Sequence, residues 1–221
     1  MTVKRALVLG SSGAIGAAIA QQARAGMDVT GLSRRDGLDW RDPAAAEAVL
    51  TALVGPFDLI FDATGALEID GSGPEKQLAA IDGEAMAAQF AVNAIGPALV
   101  LKHYKRLLPT KGRAVFATLS ARVGSIGDNR LGGWISYRAA KAALNQVVRT
   151  ASIEVARSRP DALVVALHPG TVATPLSAKF AGNRETFTPE EAAGKLLTVL
   201  DGLGPEDSGG LFAYDGSRIP W

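Results

Sequence analysis

The stretch Leu7–Ala20, "LVLGSSGAIGAAIA", decides how the rest of the chain is read. A short β-like run ends at Gly10, and Ile15, Ile19 and Ala23 then recur at helical spacing. Gly10, Gly13 and Gly16 stand between the two patterns. Glycines at such a junction allow a tight turn, close approach of backbone to a pyrophosphate, and tight packing of helix on strand. The helix N-terminus adds free N–H groups and the positive end of its dipole. Ser11 and Ser12 add hydroxyl donors, and Ile15 sits one turn inside the helix. Strand, glycine turn and helix in this order predict a dinucleotide site at the start of a parallel α/β sheet. Behind Lys4 and Arg5 the same stretch imitates a secretion signal. The "GSSG" at its centre interrupts the apolar run, so it is read as part of the fold.

The alternation continues downstream. "MDVTGLS", "FDLIFDATG", "RAVFATLS", "ALVVALHPG" and "GGLFAY" read as strands. Ala44–Val54 reads as a helix with Asp42 as N-cap and Pro43 at its first position. Ile81–Leu108 reads as one long helix, with Gly96-Pro97 as a break or kink. Tyr137–Val155 is a third helix. A capping box at Thr188–Glu191, with Pro189 inside it, starts a fourth that runs to about Leu200. Strands alternating with helices predict an α/β fold: one Rossmann-like domain over residues 1–221, a doubly wound parallel sheet with helices on both faces. Ligands then bind beyond the carboxyl ends of the strands. The longest irregular stretch is Leu176–Phe187.

Composition narrows the function. A net charge of +1 gives no electrostatic case for nucleic acid or an anionic membrane surface. The absence of Cys removes thiolate catalysis and Cys-based zinc sites, and fits the cytoplasm. No run is read as approaching the roughly 18 apolar residues of a membrane span. His103 and His168 belong to no metal-ligand spacing and are read as structural.

Two further stretches carry chemistry. After the second strand comes "GLSRRDG", with Ser33, Arg34 and Arg35 where an NAD site would place an acid. A hydroxyl and guanidinium groups suit a 2′-phosphate, which favours NADP(H); Asp36 keeps NAD(H) open. In "SYRAAKAALN", Tyr137 and Lys141 lie four apart, one turn apart on one helix face. A free phenol titrates near 10, too high for efficient proton transfer at neutral pH, and a nearby ammonium favours phenolate. The pair therefore forms a candidate proton-transfer device.

The glycine loop, the arginine-tipped second strand, "DATG", "VNAIG", "SYRAAKAALN" and "HPGTVATP" occur in this order. Together they resemble the short-chain dehydrogenase/reductase superfamily over nearly the whole chain. "SARVGSIGDNRLGGWISYRAAKAALN" is most similar to its small C-factor-like and sniffer-like carbonyl reductase branch. The resemblance implies hydride transfer between NADP(H) and a carbonyl or alcohol. Tyr137 would be the general acid; Lys141 would lower its pKa and hold the nicotinamide ribose. Asn93 would kink its helix and hold a relay water. Ala63, Thr64 and Gly65 would lie beside the adenine pocket, with Asp62 in place of an Asn, and Asp39 near the adenine ring. Pro169, Gly170, Val172 and Thr174 would pack on and hydrogen-bond the nicotinamide. A homodimer or homotetramer is implied as well.

Three departures stand out. The glycine spacing is one residue shorter than the superfamily's usual pattern. The chain between Thr174 and Pro189 is short, which points to a reduced lid. The usual serine position falls on Ala121, beside Ser120, while Ser125 lies twelve residues before Tyr137. Ser120 is the first choice because it is tied to the strand end, Ser125 is its rival, and a mechanism without the serine is a third reading. Trp134 is read equally as pocket wall or core, and Trp221 as docking on the body or a partner subunit. The rival function is a non-catalytic dinucleotide-binding protein on the same fold.

Overall fold

The computed structural model describes residues 3–174 and 186–221. Six strands form one parallel sheet: β1 (Lys4–Leu9), β2 (Met27–Leu32), β3 (Leu59–Asp62), β4 (Ala114–Leu119), β5 (Ala162–His168) and β6 (Leu211–Ala213). Their order is β2-β1-β3-β4-β5-β6, every pair parallel. All six coincide with runs read from the sequence. The chain winds outward from β1 in both directions, so the switch point falls between β1 and β3, where a ligand crevice belongs.

Alternation along the strands sorts two cores. Ala6, Val8, Phe61, Ala117 and Val165 pack with Ala18, Ile19 and Ala20 of α1 (Ala14–Ala23) and with Ala193, Leu196 and Leu200 of α7 (Pro189–Gly202). Leu7, Leu9, Ile60, Phe116 and Val164 face the other way, onto α2 (Pro43–Ala52), α4 (Gly96–Lys102), α5 (Tyr104–Leu107) and α6 (Ile135–Ala156). The segment that imitated a secretion signal is thus a central strand and its following helix.

The caps are where the sequence placed them. Asp42 accepts from Ala45 N, with Pro43 at the first helical position. Thr188 Oγ1 accepts from Glu191 N, and Glu191 accepts from Thr188 N.

The helix read over Ile81–Leu108 is corrected. It comprises α3 (Gly83–Phe90), a π-helical turn at Ala91–Ile95, and then α4 and α5. The π turn therefore precedes Gly96-Pro97, and the break between α4 and α5 follows it, at His103. Gly96 has another role: a Cβ there would fall within 2.5 Å of the Trp40 indole, so the missing side chain seats the tryptophan. The membrane reading is corrected too. Gly83–Lys102 is long and apolar enough by composition to cross a membrane. Here it packs against α6, with Gln89 and Asn93 buried along it.

Candidate active site

The glycine loop lies at the carboxyl end of β1. Gly10 is left-handed at φ +76°, and a Cβ there would sit 3.0 Å from the Ala63 backbone. A Cβ on Gly16 would collide with the Gly10 carbonyl. Gly13 is the N-cap of α1 and has no capping side chain. The first helical backbone bond is donated by Ala17 N to Gly13 O, so the N–H groups of Ala14, Ile15 and Gly16 point forward without a backbone acceptor. Ser11 differs from its reading: its hydroxyl donates to Leu32 O at 3.3 Å and ties the loop to β2. Ser12 is exposed.

At the end of β2, Ser33 is buried and caps a short 3-10 turn, Arg34–Asp36. Asp36 bends back, and its Oδ2 accepts from Ser33 N and Ser33 Oγ, both at 2.8 Å. The acid that kept NAD(H) open is therefore committed to its own turn. Arg34 and Arg35 are exposed, neither side chain makes a hydrogen bond or ion pair among the described residues, and the charge of Arg34 is felt at Asp39. Asp39 accepts from the backbone N–H of Arg41 at 3.0 Å and pairs with its guanidinium at 3.4 Å. Those bonds hold its carboxyl below the usual range.

The strand ends and α6 enclose a cavity of about 590 Å³. Tyr137, Ser120 and Trp134 line it together with Ile15, Pro169, Gly170, Val172 and Thr174. Trp134 is thus pocket wall, its ring edge-on to Tyr137 at 6.3 Å between centroids. Gly170 is left-handed, and a Cβ there would press on Tyr214 and Phe187. The Trp221 backbone oxygen accepts from Gly127 N at 2.8 Å, and its side chain is exposed.

Lys141 is buried beneath this wall and donates to Leu119 O at 2.8 Å. Its Nζ lies 5.8 Å from the centre of the Tyr137 ring. Gly65, in the loop after β3, keeps space for this group: a Cβ there would be 3.3 Å from Lys141 Nζ and 3.1 Å from Asn93 Oδ1. Asn93 sits in the π turn, as its reading as a helix-distorting residue requires. Its amide donates to Ala66 O at 2.9 Å and to Gln89 Oε1 at 2.7 Å, and accepts from Ala66 N at 3.1 Å. The side chain therefore anchors the β3 loop. Ala63 continues the β3 backbone by donating to Leu9 O at 2.9 Å, and Thr64 donates to Asp62 Oδ1 from both N and Oγ1.

The two serines separate. Ser120 is at the carboxyl end of β4 and faces the cavity. Ser125 is buried, and its Oγ accepts from Asp128 N at 3.1 Å, closing a turn away from the cavity wall. The geometry favours Ser120 over its rival.

Electrostatics run against one expectation. Burial pushes the Tyr137 phenol up to about 12, rather than down. Burial pushes Lys141 down to about 8, although Asp62 pulls the other way. Asp62 is itself raised by burial, against hydrogen bonds from Thr64 and Thr118. Lys141 directs its bond to Leu119 O, and burial is what dominates at the phenol.

Sequence reasoning missed Glu75. Gly132, Gly133 and Trp134 are all left-handed, and Trp134 N–H is held by Glu75 O. The helix has no cap of its own. The Glu75 carboxylate supplies one across 61 residues, accepting from Ser136 Oγ and, at 3.2 Å, from Ser136 N. Partial burial raises its pKa, but the Ser136 bonds outweigh that and hold it below the usual glutamate value. No local pattern announces so distant a cap. Glu75→Ala is expected to lower stability by about 1 kcal/mol, the ordinary value of an N-cap. The contribution is present above the normal glutamate pKa and is lost as pH falls through the lowered one. Denaturant midpoints measured across acid pH check both; a difference from wild type that stays constant down to full protonation would refute the assignment.

Comparison with known proteins follows the same lines. Residues 37–199 match the family described as Enoyl-(Acyl carrier protein) reductase. The chain is 32% identical over 200 residues to the 1-hydroxy-2-glutathionyl-2-methyl-3-butene dehydrogenase of Rhodococcus sp. (strain AD45), covering 89% of this chain and 84% of that one. It is 36% identical over 171 residues to the C-signal protein of Myxococcus xanthus, covering 76% and 94%. An NADPH-bound carbonyl reductase from chicken fatty liver shares the fold over the full length of both chains, with a TM-score of 0.85 and 23% identity.

Proposed function

Because this chain belongs to the short-chain dehydrogenase/reductase family of NAD(P)-dependent oxidoreductases, we propose that it moves a hydride between NADP(H) and a small-molecule carbonyl/alcohol pair, with Tyr137 exchanging the proton. The observation that carries this reading is one shared cavity, in which Tyr137 and Ser120 face the Pro169–Thr174 stretch at the end of β5.

The residues fit the cofactor. Gly10 and Gly16 let the loop close on the β3 backbone and on itself, and the N–H groups of Ala14, Ile15 and Gly16 at the start of α1 have no backbone acceptor among the described residues. Arg34 and Arg35 are open to a 2′-phosphate, while Asp36 is turned away from a 2′-hydroxyl. The cofactor supplies the hydride when bound. Lys141 and the Pro169–Thr174 stretch would hold its nicotinamide half; Ala63, Thr64, Gly65 and Asp39 would lie toward its adenine.

Tyr137 does the proton work. Hydride addition leaves an alkoxide-like oxygen, far more basic than a phenolate. A phenol raised to about 12 still gives its proton to that oxygen downhill, and stays protonated at every ordinary working pH. Lys141 brings a positive charge beneath the phenol, and Asn93 fixes the β3 loop against it.

A homo-oligomeric cytoplasmic protein completes the reading, supported by the half-exposed Ile95 beside α4 and Ile153 on α6 and by the absence of cysteine. Sedimentation showing only monomer at micromolar concentration would remove the oligomer.

The cofactor assignment is tested by Arg34→Ala and Arg35→Ala. Loss of a charge-assisted contact to phosphate is expected to raise KM for NADPH about tenfold or more, with KM for NADH nearly unchanged. Equal changes for both cofactors would refute the 2′-phosphate contact.

A further inference from the structure

We infer that Asn145 is a positioning residue for the reaction: it holds the hydroxyl of Ser120 in one orientation at the cavity wall. The inference rests on the reading above, in which Ser120 belongs to the site.

Asn145 lies four residues beyond Lys141 and eight beyond Tyr137, so the three share one face of α6. It is 3% exposed. Ser120 Oγ donates to Asn145 Oδ1 at 2.7 Å, and Asn145 Nδ2 donates to Gly124 O at 3.2 Å. The second bond fixes the first. Turning the amide over would set its oxygen against the Gly124 oxygen, two acceptors face to face. With the amide so oriented, the Ser120 proton is committed to Asn145, and its lone pairs are what it offers the cavity. The serine then accepts a hydrogen bond from a hydroxyl at the reacting centre. In carbonyl reduction the hydroxyl it meets is the one that forms on the substrate as Tyr137 gives up its proton.

The surroundings make this a rigid frame. Ser120 N donates to Leu167 O at 2.7 Å, which fixes the backbone under the hydroxyl. The preceding residue, Leu119, gives its carbonyl to Lys141. Successive residues at the end of β4 are thus held by successive turns of α6. Gly124 allows the approach, since a Cβ there would lie 2.8 Å from the Lys141 backbone carbon and Cβ. Without the Asn145 amide, the Ser120 hydroxyl is free among its three staggered rotamers.

A kinetic double-mutant cycle with NADPH and a neutral aldehyde separates this from a general packing role. Asn145→Ala is expected to lower kcat roughly two- to tenfold, the net worth of one hydrogen bond, with KM for NADPH unchanged. In a Ser120→Ala background the same substitution is expected to change kcat by less than about twofold, because the group it acts through is gone. Equal losses in the two backgrounds, or no loss in the wild-type background, would overturn the inference. Thermal melts establish that each variant is folded. If Asn145→Ala does not fold, Asn145→Leu, which fills the space but offers no acceptor, takes its place in the cycle with the same expectations. Failure of the underlying reading looks different: the wild-type chain would then reduce no carbonyl of a panel with NADPH, which overturns both.

Discussion

Tyr137→Phe is expected to lower kcat for carbonyl reduction by about 10²–10⁴-fold, the range of a lost general acid. Its dissociation constant for NADPH should stay within about twofold of wild type, since the substitution deletes one oxygen. The ring remains to pack edge-on against Trp134, so the cavity wall keeps its shape. The expected signature is a folded protein that binds NADPH, seen by fluorescence titration, and does not turn over. Near-normal kcat would remove Tyr137 from the chemistry. A large loss of NADPH binding would mean that the hydroxyl is chiefly a cofactor ligand.

Lys141→Met carries the second largest effect. The ammonium is buried, bonded to Leu119 O and close enough to the buried Asp62 to be pulled by it. Removing it leaves the Leu119 carbonyl without its donor and Asp62 without a nearby positive charge, besides stripping the charge under the phenol. The expected loss in kcat/KM is about 10²-fold or more, of the order seen when a positioned charge is removed from a dry site. The pH profile carries the finer test. Burial places the Lys141 titration at about 8, so its charge is present below that pH and lost above it. The phenol, at about 12, does not titrate in that window. Reduction by wild type should hold level through neutrality and decline through about pH 8. The residual activity of Lys141→Met should lack that decline; an unchanged alkaline limb would assign it to another group.

How much of this was legible in the sequence differs by element. The six strands were, because fully buried parallel strands read as continuous apolar runs between turn signals. The capped starts of α2 and α7 were, because a cap is a local pattern. The π turn was not. It adds a residue to one helical turn without disturbing the apolar rhythm on either side, and only the polar Asn93 within that rhythm marked it. The cofactor half of the site was legible in Gly10, Gly16, Arg34 and Arg35, whose roles follow from backbone freedom and charge. Ser11 and Asp36 were less so, since each had a partner that only the folded loop supplies: Leu32 O for one, the Ser33 amide and hydroxyl for the other.

The catalytic helix shows the same division. Tyr137 and Lys141 were legible through their spacing. Asn145 continues that spacing by one more turn, but its meaning depends on Ser120 lying across from it, 25 residues earlier in the chain. Glu75 lies farther still from the helix it caps. The direction of the Tyr137 shift was misread because spacing reports that an ammonium is near, and not how deeply the phenol is desolvated or where the ammonium sends its bond. The expectation of a reduced lid between Thr174 and Pro189 falls largely on residues 175–185, outside the described residues.

The central claim is that a hydride from NADPH reaches a carbonyl carbon while Tyr137 protonates the oxygen. The most direct test incubates wild type and Tyr137→Phe with a carbonyl panel and NADPH deuterated at the transferable C4 position of the nicotinamide, and analyses the products by mass spectrometry. Wild type should yield an alcohol carrying one deuterium on the carbinol carbon, and Tyr137→Phe should yield almost none. An alcohol formed without deuterium, or equal deuterated product from both proteins, would contradict the account.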